Sequence, residues 1–204
     1  MEKIQNLFES FFNKTLNEKN PGDSDWHLMT LFSIVLQIKA KNILELGVRW
    51  GTTTEPLVAA AYLLGSKVTS VDISPTQWTC PNELKENYKF IQCDAIEFLK
   101  SKADLYYDIV YIDDWHAYEH VKTELELIEN ITDCNSIIIL HDLMSQGAAP
   151  NYFLSINWTK EWANGGPYRA VKELNLEKWE WMTIPVNHGF TLLRKKSGKE
   201  VQLM

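Results

Sequence analysis

The segment NILELGVRWG, residues 42–51, decides how the rest of the chain is interpreted. A short apolar run ends in Gly47, and a second glycine, Gly51, follows four residues later. An apolar run of this length predicts a buried strand. Glycine lets the backbone that follows turn sharply and approach a ligand closely. We therefore predict a strand, a tight loop and then a helix over residues 52–64.

The same alternation continues toward the C-terminus. Apolar runs predict four further strands, at residues 67–73, 88–93, 107–112 and 136–140. Helices are predicted over 94–100 and from Tyr118 onward. Strands that are apolar on both faces indicate a parallel sheet with helices on both sides. With right-handed crossovers, this is a Rossmann-like, doubly wound α/β fold.

The last predicted elements break the alternation. A helix is expected over 168–174, and two strands, 179–185 and 189–194, follow as a hairpin. The sheet is then mostly parallel, has seven strands and ends in an antiparallel hairpin, unlike an ordinary dinucleotide-binding fold. We expect one domain over 1–204, with N-terminal helices in 1–40 and a core in 41–196.

Two helices are predicted before the core. The second begins after Ser24 and Asp25 and runs to about Lys39. The first has an apolar stripe at helical spacing, formed by Ile4, Leu7, Phe8, Phe11 and Phe12. Because an exposed stripe of this size is a liability, something must cover it. We expect a partner subunit, which implies a homodimer, or a lid over the ligand site; packing on its own domain is the alternative.

Composition and charge exclude several classes of protein. The net charge of −7 gives an acidic surface that repels phosphate backbones, so we expect no nucleic acid partner. Three cysteines without a C-x-x-C pair argue against a disulfide framework or structural zinc and favour a reducing cytoplasm. The longest apolar stretch, residues 57–64, is too short to span a bilayer. We expect a cytoplasmic protein that does not bind membranes.

Polar groups follow the first three strands where each of them ends. Glu45 and the two glycines belong to the first strand, Asp72 ends the second, and Asp94 follows the third. Ligands bind beyond the carboxyl ends of such strands. An acid about 20 residues after a glycine loop is where a ribose diol is bound, and Asp94 is placed to accept from an adenine amino group. These positions together predict a cofactor that contains a nucleoside.

A second group of polar residues follows strands four and five, at Asp113, Asp114, His116, His141 and Asp142. The two strands are expected to be neighbours, and paired strands lie about 4.8 Å apart. Carboxylates and imidazoles that converge in this way hold a divalent metal or perform acid–base chemistry. The alternative is that one aspartate caps the next helix and the histidines are ordinary loop residues.

These segments resemble a known family. ELGVRWG, VTSVDIS and FIQCDAIEFL, which begin at residues 45, 68 and 90, resemble the first three motifs of class I S-adenosylmethionine (SAM)-dependent methyltransferases. The resemblance implies that SAM is the cofactor and places its methionine part at Gly47 and Gly51. It places the ribose at Asp72 with Ile73 and the adenine at Asp94 with Ala95. Glu45 and Asp113 complete the implied cofactor site, and Glu45 is expected to hold the loop rather than to contact SAM.

The segment IDDWHAYEHVK, residues 112–122, is similar to the IDGDHSYEGV-type motif of small-molecule and sugar O-methyltransferases. In relatives that bind Mg²⁺, acids after strands four and five hold the ion, and Asp113 and Asp142 match them. His141 stands where sugar-type enzymes have an acid, and Leu143 where catechol-type enzymes have asparagine. Because Mg²⁺ prefers oxygen ligands, the resemblance implies either Mg²⁺ or a softer divalent cation, with His141 as a third ligand.

The sequence thus predicts SAM-dependent O-methylation of a small hydroxylated metabolite or sugar. His116 matches the histidine that acts as general base in the sugar-type enzymes, and an imidazole titrates near neutrality. Asp113, Asp142 and His141 would orient the acceptor directly or through a metal. Acceptor contacts are expected in residues 147–166 and the N-terminal helices. Two alternatives stay open: a non-catalytic SAM-binding module, and an NAD-dependent oxidoreductase, which the absence of G-x-G-x-x-G disfavours.

Overall fold

A computed structural model describes residues 2–16, 19, 22–101, 105–144 and 165–197, and elements are numbered within those residues. The helices are α1 (Glu2–Thr15), α2 (Leu28–Ile38), α3 (Thr54–Leu64), α4 (Ala95–Ser101), α5 (Tyr118–Ile128) and α6 (Gly166–Lys172). The strands are β1 (Asn42–Leu46), β2 (Lys67–Asp72), β3 (Tyr88–Gln92), β4 (Ile109–Ile112), β5 (Ile137–His141), β6 (Trp179–Ile184) and β7 (Phe190–Lys195).

The strands form one seven-stranded sheet in the order β3-β2-β1-β4-β5-β7-β6. Strands β1 to β5 are parallel, and β7 runs antiparallel to both β5 and β6. The predicted fold class is therefore confirmed. The largest shift of a strand boundary is at β4, which begins at Ile109 rather than at residue 107. The amide of Tyr107 donates to the Ile131 carbonyl instead of to a neighbouring strand.

The strand order reverses between β1 and β4, which places a crevice at their carboxyl ends. Both strands are central, and all four residues of β4 are buried. Their register pairs Leu46 at the end of β1 with Ile112 at the end of β4. Residues 47 and 113, the first beyond each strand, are consequently neighbours at one edge of the sheet.

Each face of the sheet has its own apolar core. Helices α1, α2 and α3 pack on one face, where Leu28, Leu57 and Tyr111 are fully buried. Helices α4, α5 and α6 cover the other face, where Leu44 and Ile128 are fully buried. This burial on both sides explains why the central strands are continuous apolar runs. None of the helices in the described ranges combines the length and apolar composition that crossing a bilayer requires.

Helix α1 packs on its own domain. Leu7 and Phe11 are buried, and the Phe11 ring lies 5.3 Å from the Phe32 ring of α2. The Lys14 ammonium is 2.7 Å from Glu55 on α3, which fixes the far end of the helix. The alternative, packing on its own domain, holds for Leu7 and Phe11, which α2 and α3 cover, whereas Phe12 is 39% exposed. A partner subunit or a lid at the exposed face of α1, and with it homodimer formation, stays a prediction.

Candidate functional site

The loop after β1 approaches β4 so closely that residue 47 must be glycine. Gly47 has a φ of +87°, and a Cβ atom there would lie 2.1 Å from the carbonyl oxygen of Asp113. Its amide donates to the Val71 carbonyl at 2.9 Å, which ties the loop to β2 as well. Backbone on three strands thus meets at one point, as a ligand crevice requires.

Glu45 anchors this loop from beneath. Its carboxylate is fully buried and accepts hydrogen bonds from the hydroxyls of Thr53 at 2.7 Å, Thr54 at 2.8 Å, and Ser70. Burial raises the pKa of Glu45 to about 7, although the three hydroxyl hydrogen bonds act in the opposite direction. The side chain therefore connects β1 to the start of α3 and lies below the cleft.

Asp72, at the end of β2, bonds to the same loop. One carboxylate oxygen accepts from the amides of Val48 at 2.9 Å and Arg49 at 3.0 Å, and the other accepts from Ser74 at 2.8 Å. A carboxylate offers about four acceptor positions, so one is left toward a ligand. Asp72 consequently lines the cleft and also fixes the shape of the glycine loop.

A cleft of about 390 Å³ opens above these strand ends. Four carboxylates contribute to its walls, those of Asp72, Asp94, Asp113 and Asp114. Two apolar side chains are exposed in it, Ile73 at 68% and Trp115 at 46%. Ala95 also lines the cleft. The four residues that the resemblance placed at the ribose and the adenine, Asp72, Ile73, Asp94 and Ala95, therefore all lie in its walls. One oxygen of Asp94 also accepts from the amide of Glu97 at 3.0 Å, near the start of α4.

The ends of β4 and β5 bring together Asp113, His141 and Asp142, which we call the strand-end cluster. The Nδ1 atom of His141 lies 3.1 Å from a carboxylate oxygen of Asp142 and 3.5 Å from one of Asp113. One ligand atom from each of the three residues falls within 4.8 Å of the others. Two ligands about 2.1 Å from one cation are themselves separated by about 3.0–3.4 Å, so the spacing fits a shared metal ion.

The orientation of His141 supports the same interpretation. Its Nε2 lies 3.2 Å from the Asn187 carbonyl, to which an N–H would donate, so Nδ1 faces the two carboxylates. Nδ1 is buried and makes no well-formed hydrogen bond to any described residue. Although burial lowers the pKa of His141, the two carboxylates outweigh it and raise this pKa well above its ordinary value. Positive charge between these groups, whether a proton or a metal ion, is therefore strongly stabilised.

The two carboxylates respond in the opposite sense. Burial alone would raise the pKa of Asp113 and that of Asp142, but His141 and His116 hold both below their ordinary values. Asp142 has a φ of +67°, a left-handed conformation that is uncommon outside glycine and concentrates at functional sites. Both groups stay ionised at neutral pH and can bind a cation or orient a donor.

His116 lies beside this cluster. Its Nε2 is 3.0 Å from a carboxylate oxygen of Asp142 and 3.6 Å from one of Asp113. Its side chain is only 12% exposed. The structure therefore brings the predicted base next to two of the three predicted metal ligands, Asp113 and Asp142. Most of residues 147–166, the segment expected to contact the acceptor, lies outside the described residues.

Sequence reasoning missed several side chains that hold this site in place. The hydroxyls of Ser24, at 3.3 Å, and Tyr111, at 3.1 Å, donate to one oxygen of Asp113. The Nε2 of His27 lies 3.1 Å from the Asn187 carbonyl that also accepts from His141. These partners come from distant parts of the chain, and no local pattern marks them.

His120 and Trp115, which also line the cleft, were missed as well. A signal existed for His120, because it lies four residues before Glu124 and so shares its helix face. Trp115 carries no comparable signal beyond its position next to the predicted acids.

Comparison with known proteins agrees with this geometry. Residues 44–143 match a family model described as a methyltransferase domain. A search of curated proteins gave no match. The SAH-bound methyltransferase PaMTH1 of Podospora anserina is similar in structure, with a TM-score of 0.69 and 17% identity over 94% of this chain and 88% of that one.

Two further solved structures are similar. An O-methyltransferase from Bacillus cereus in complex with SAH has a TM-score of 0.62 and 15% identity, over 96% of this chain and 91% of its own. MycE, a methyltransferase of the mycinamycin biosynthetic pathway solved with Mg, SAH and mycinamycin VI, has a TM-score of 0.64 and 16% identity. That match covers 98% of this chain and 56% of MycE. At these identities the likeness shows the fold, which is the Rossmann-like methyltransferase fold.

Proposed function

We propose that this protein is a SAM-dependent methyltransferase that methylates a hydroxyl group of a small molecule. The observation that carries the proposal is the cleft at the carboxyl ends of β1, β2 and β4. Its walls are acidic, and its glycine loop packs directly against the end of β4. The match of residues 44–143 to a methyltransferase family model supports it.

The cleft fits the chemical parts of SAM. Asp72 and Asp94 supply acceptors for ribose hydroxyls and an adenine amino group, and Ile73 and Trp115 offer apolar faces to an adenine ring. Arg49 and the N-terminal end of α3 supply positive potential for the methionine carboxylate.

Charge distinguishes SAM from a dinucleotide. SAM carries a sulfonium and an ammonium group, which four nearby carboxylates attract. The same carboxylates would repel the pyrophosphate of NAD, and the loop lacks the G-x-G-x-x-G spacing that cradles it. The acidic walls therefore favour SAM over NAD.

His116 is the general base in this proposal. Asp142, 3.0 Å from its Nε2, orients the imidazole and stabilises its protonated form. The acceptor hydroxyl would lose its proton to His116 as its oxygen attacks the methyl group of SAM. The protein supplies position and a proton acceptor, because SAM carries the activated group itself.

The strand-end cluster fits a divalent cation that would hold the acceptor oxygen. Asp113, His141 and Asp142 offer two oxygen ligands and one nitrogen ligand, a set that suits Mn²⁺ or another transition ion better than Mg²⁺. A bound cation lowers the pKa of a coordinated hydroxyl. The N–H of His141 that faces Asn187 would fix its ring in the ligating orientation.

A two-stage experiment tests the proposal. Thermal unfolding with SAH and, separately, with NAD should show stabilisation by SAH alone. A panel of sugars, phenols and small hydroxylated metabolites is then assayed with labelled SAM. His116→Gln should keep SAH affinity and lose about 10²-fold in turnover on any acceptor found.

Each result has a distinct meaning. Stabilisation by NAD but not by SAH would contradict the proposal. SAH binding without turnover for every acceptor class would favour a non-catalytic SAM-binding module. Full turnover by His116→Gln would show that this histidine is not the base and would make His141 the next candidate.

A further inference from the structure

A second group of titratable side chains lies at the wall of the cleft, and none of them acts as a base or as a cation ligand in the proposed methyl transfer. We call Asp114, His120 and Glu124 the α5 cluster, because two of them lie on α5 and the third precedes it. The Nε2 atom of His120 is 3.0 Å from a carboxylate oxygen of Asp114 and 3.5 Å from one of Glu124.

The carboxylates of this cluster are buried without adequate partners. Glu124 is fully buried, and neither of its oxygens makes a hydrogen bond to a described residue. One oxygen of Asp114 is also buried and unbonded among the described residues. Three buried carboxylate oxygens of the cluster therefore lack hydrogen bonds, which is costly unless a proton or a metal ion satisfies them.

The geometry of the cluster matches a coordination site. One ligand atom from each of the three residues lies within 4.8 Å of the others. The separations of 3.0 and 3.5 Å from the imidazole are close to those of ligands that share one ion at about 2.1 Å. The helical spacing of His120 and Glu124 places both on the same face of α5, toward Asp114.

We propose that the α5 cluster binds a divalent transition-metal ion, distinct from any ion at the strand-end cluster. One nitrogen and two carboxylate ligands favour Mn²⁺, Fe²⁺ or Zn²⁺ over Mg²⁺ or Ca²⁺. The ion would tie the first turns of α5 to the loop after β4, which also carries Asp113 and His116. The proposal does not depend on methyl transfer or on the identity of the acceptor.

Counting bound Mn²⁺ by equilibrium dialysis and metal analysis tests the proposal. The chelator-treated protein should bind one Mn²⁺ per chain at the α5 cluster, in addition to any at the strand-end cluster. Glu124→Gln and His120→Gln should each lose one equivalent relative to the unaltered protein. Glu126→Gln, which removes an exposed carboxylate from the same helix, should lose none.

His141→Gln separates the two clusters. This variant should lose any Mn²⁺ bound at the strand-end cluster and keep the equivalent that Glu124→Gln loses. A further result is that the unaltered protein binds a single Mn²⁺, which His141→Gln keeps and Glu124→Gln loses. That result would support the α5 site and would contradict a cation at the strand-end cluster. Loss of all Mn²⁺ in His141→Gln, or unchanged binding in both α5 variants, would overturn the α5 site.

A measurement without variants covers the case in which Glu124→Gln does not fold. Crystals of the unaltered protein grown with Mn²⁺ should show an anomalous peak about 2.1 Å from His120 Nε2, between the two carboxylates. A crystal without a peak there, at saturating Mn²⁺, would show that the cluster is an ion pair only.

Discussion

Two carboxylates, Asp72 and Asp108, accept hydrogen bonds from backbone amides at opposite ends of the strands, and only one of them lines the cleft. Asp72 accepts from the amides of Val48 and Arg49 at the carboxyl edge, where the cleft opens. Asp108 accepts from the amides of Lys41 and Asn42, at 2.7 and 2.8 Å, where β1 begins at the opposite edge. The bonding is nearly the same, so the position in the sheet decides which carboxylate can reach a ligand.

This pair gives a controlled prediction for cofactor binding. Asp72→Ala should weaken SAH binding by about 1.5–3 kcal/mol, the value of a hydrogen bond to a charged group. Asp108→Ala should lower the free energy of unfolding and leave SAH affinity unchanged. Isothermal titration calorimetry measures the SAH affinity of both variants, and urea denaturation measures their free energy of unfolding. Equal loss of affinity in the two variants would contradict a direct role for Asp72.

At the scale of elements, the conformation of the glycine loop depends on close packing as well as on its backbone angles. Gly47 and Gly65 both have positive φ, +87° and +65°. A Cβ at residue 47 would meet the Asp113 carbonyl at 2.1 Å, whereas a Cβ at residue 65 has nothing within 4 Å. An alanine at either position would be strained by the positive φ, and only the alanine at residue 47 would also make a steric clash.

Alanine at each position isolates the effect of that clash. Gly65→Ala should cost about 1–2 kcal/mol of unfolding free energy, the cost of left-handed strain alone. Gly47→Ala should cost at least about 2 kcal/mol more, since the loop must move away from β4, and should also lose SAH affinity. Urea denaturation and calorimetry measure these changes. Equal destabilisation would show that the loop does not need its close approach to β4.

Helix α1 offers a second matched pair. Phe11 is fully buried against α2, whereas its neighbour Phe12 is 39% exposed. Phe11→Ala should lower the free energy of unfolding by about 3–5 kcal/mol, and Phe12→Ala by about 1 kcal/mol or less. Urea denaturation checks both values. If Phe12→Ala were the more damaging change and altered the sedimentation coefficient, the exposed face of α1 would be a subunit interface after all.

At the scale of the whole molecule, Glu45 should make stability depend on pH. Its pKa rises from 4.5 to about 7 on folding. Between these values the unfolded chain has released a proton that the folded protein retains. The free energy of unfolding should therefore fall as pH rises, by roughly 1.4 kcal/mol per unit and about 3 kcal/mol in total.

Replacing Glu45 removes this dependence. Glu45→Gln keeps one oxygen that can accept from either Thr53 or Ser70, whose hydroxyls bond different oxygens of the carboxylate, and it does not titrate. Its unfolding free energy should decline less than that of the unaltered protein between pH 4.5 and 7. Glu86→Gln, at an exposed carboxylate, should retain the full decline. Urea denaturation across this range gives the slopes, and parallel curves for all three proteins would contradict a retained proton at Glu45.

The sequence by itself determined the alternation of strands and helices, the hairpin at the end of the sheet and the acids at the strand ends. Periodicity, glycine and chain order encode these features locally, so Gly47, Asp72 and Asp94 could be placed at the strand ends without coordinates. The convergence of β4 and β5 also followed, because parallel strands present their carboxyl ends at one edge.

The tertiary structure alone decided which groups orient these residues. Ser24 reaches Asp113 across 89 positions of the chain, and His27 reaches Asn187 across 160. The packing of α1 is a further example: its stripe is periodic in the sequence, but only the structure shows that α2 and α3 bury Leu7 and Phe11 of that stripe. Such contacts depend on sheet register and helix packing between distant segments, which leave no periodic trace in the chain. A local pattern therefore predicts which residues reach the carboxyl edge of the sheet, and packing decides which groups each of them contacts there.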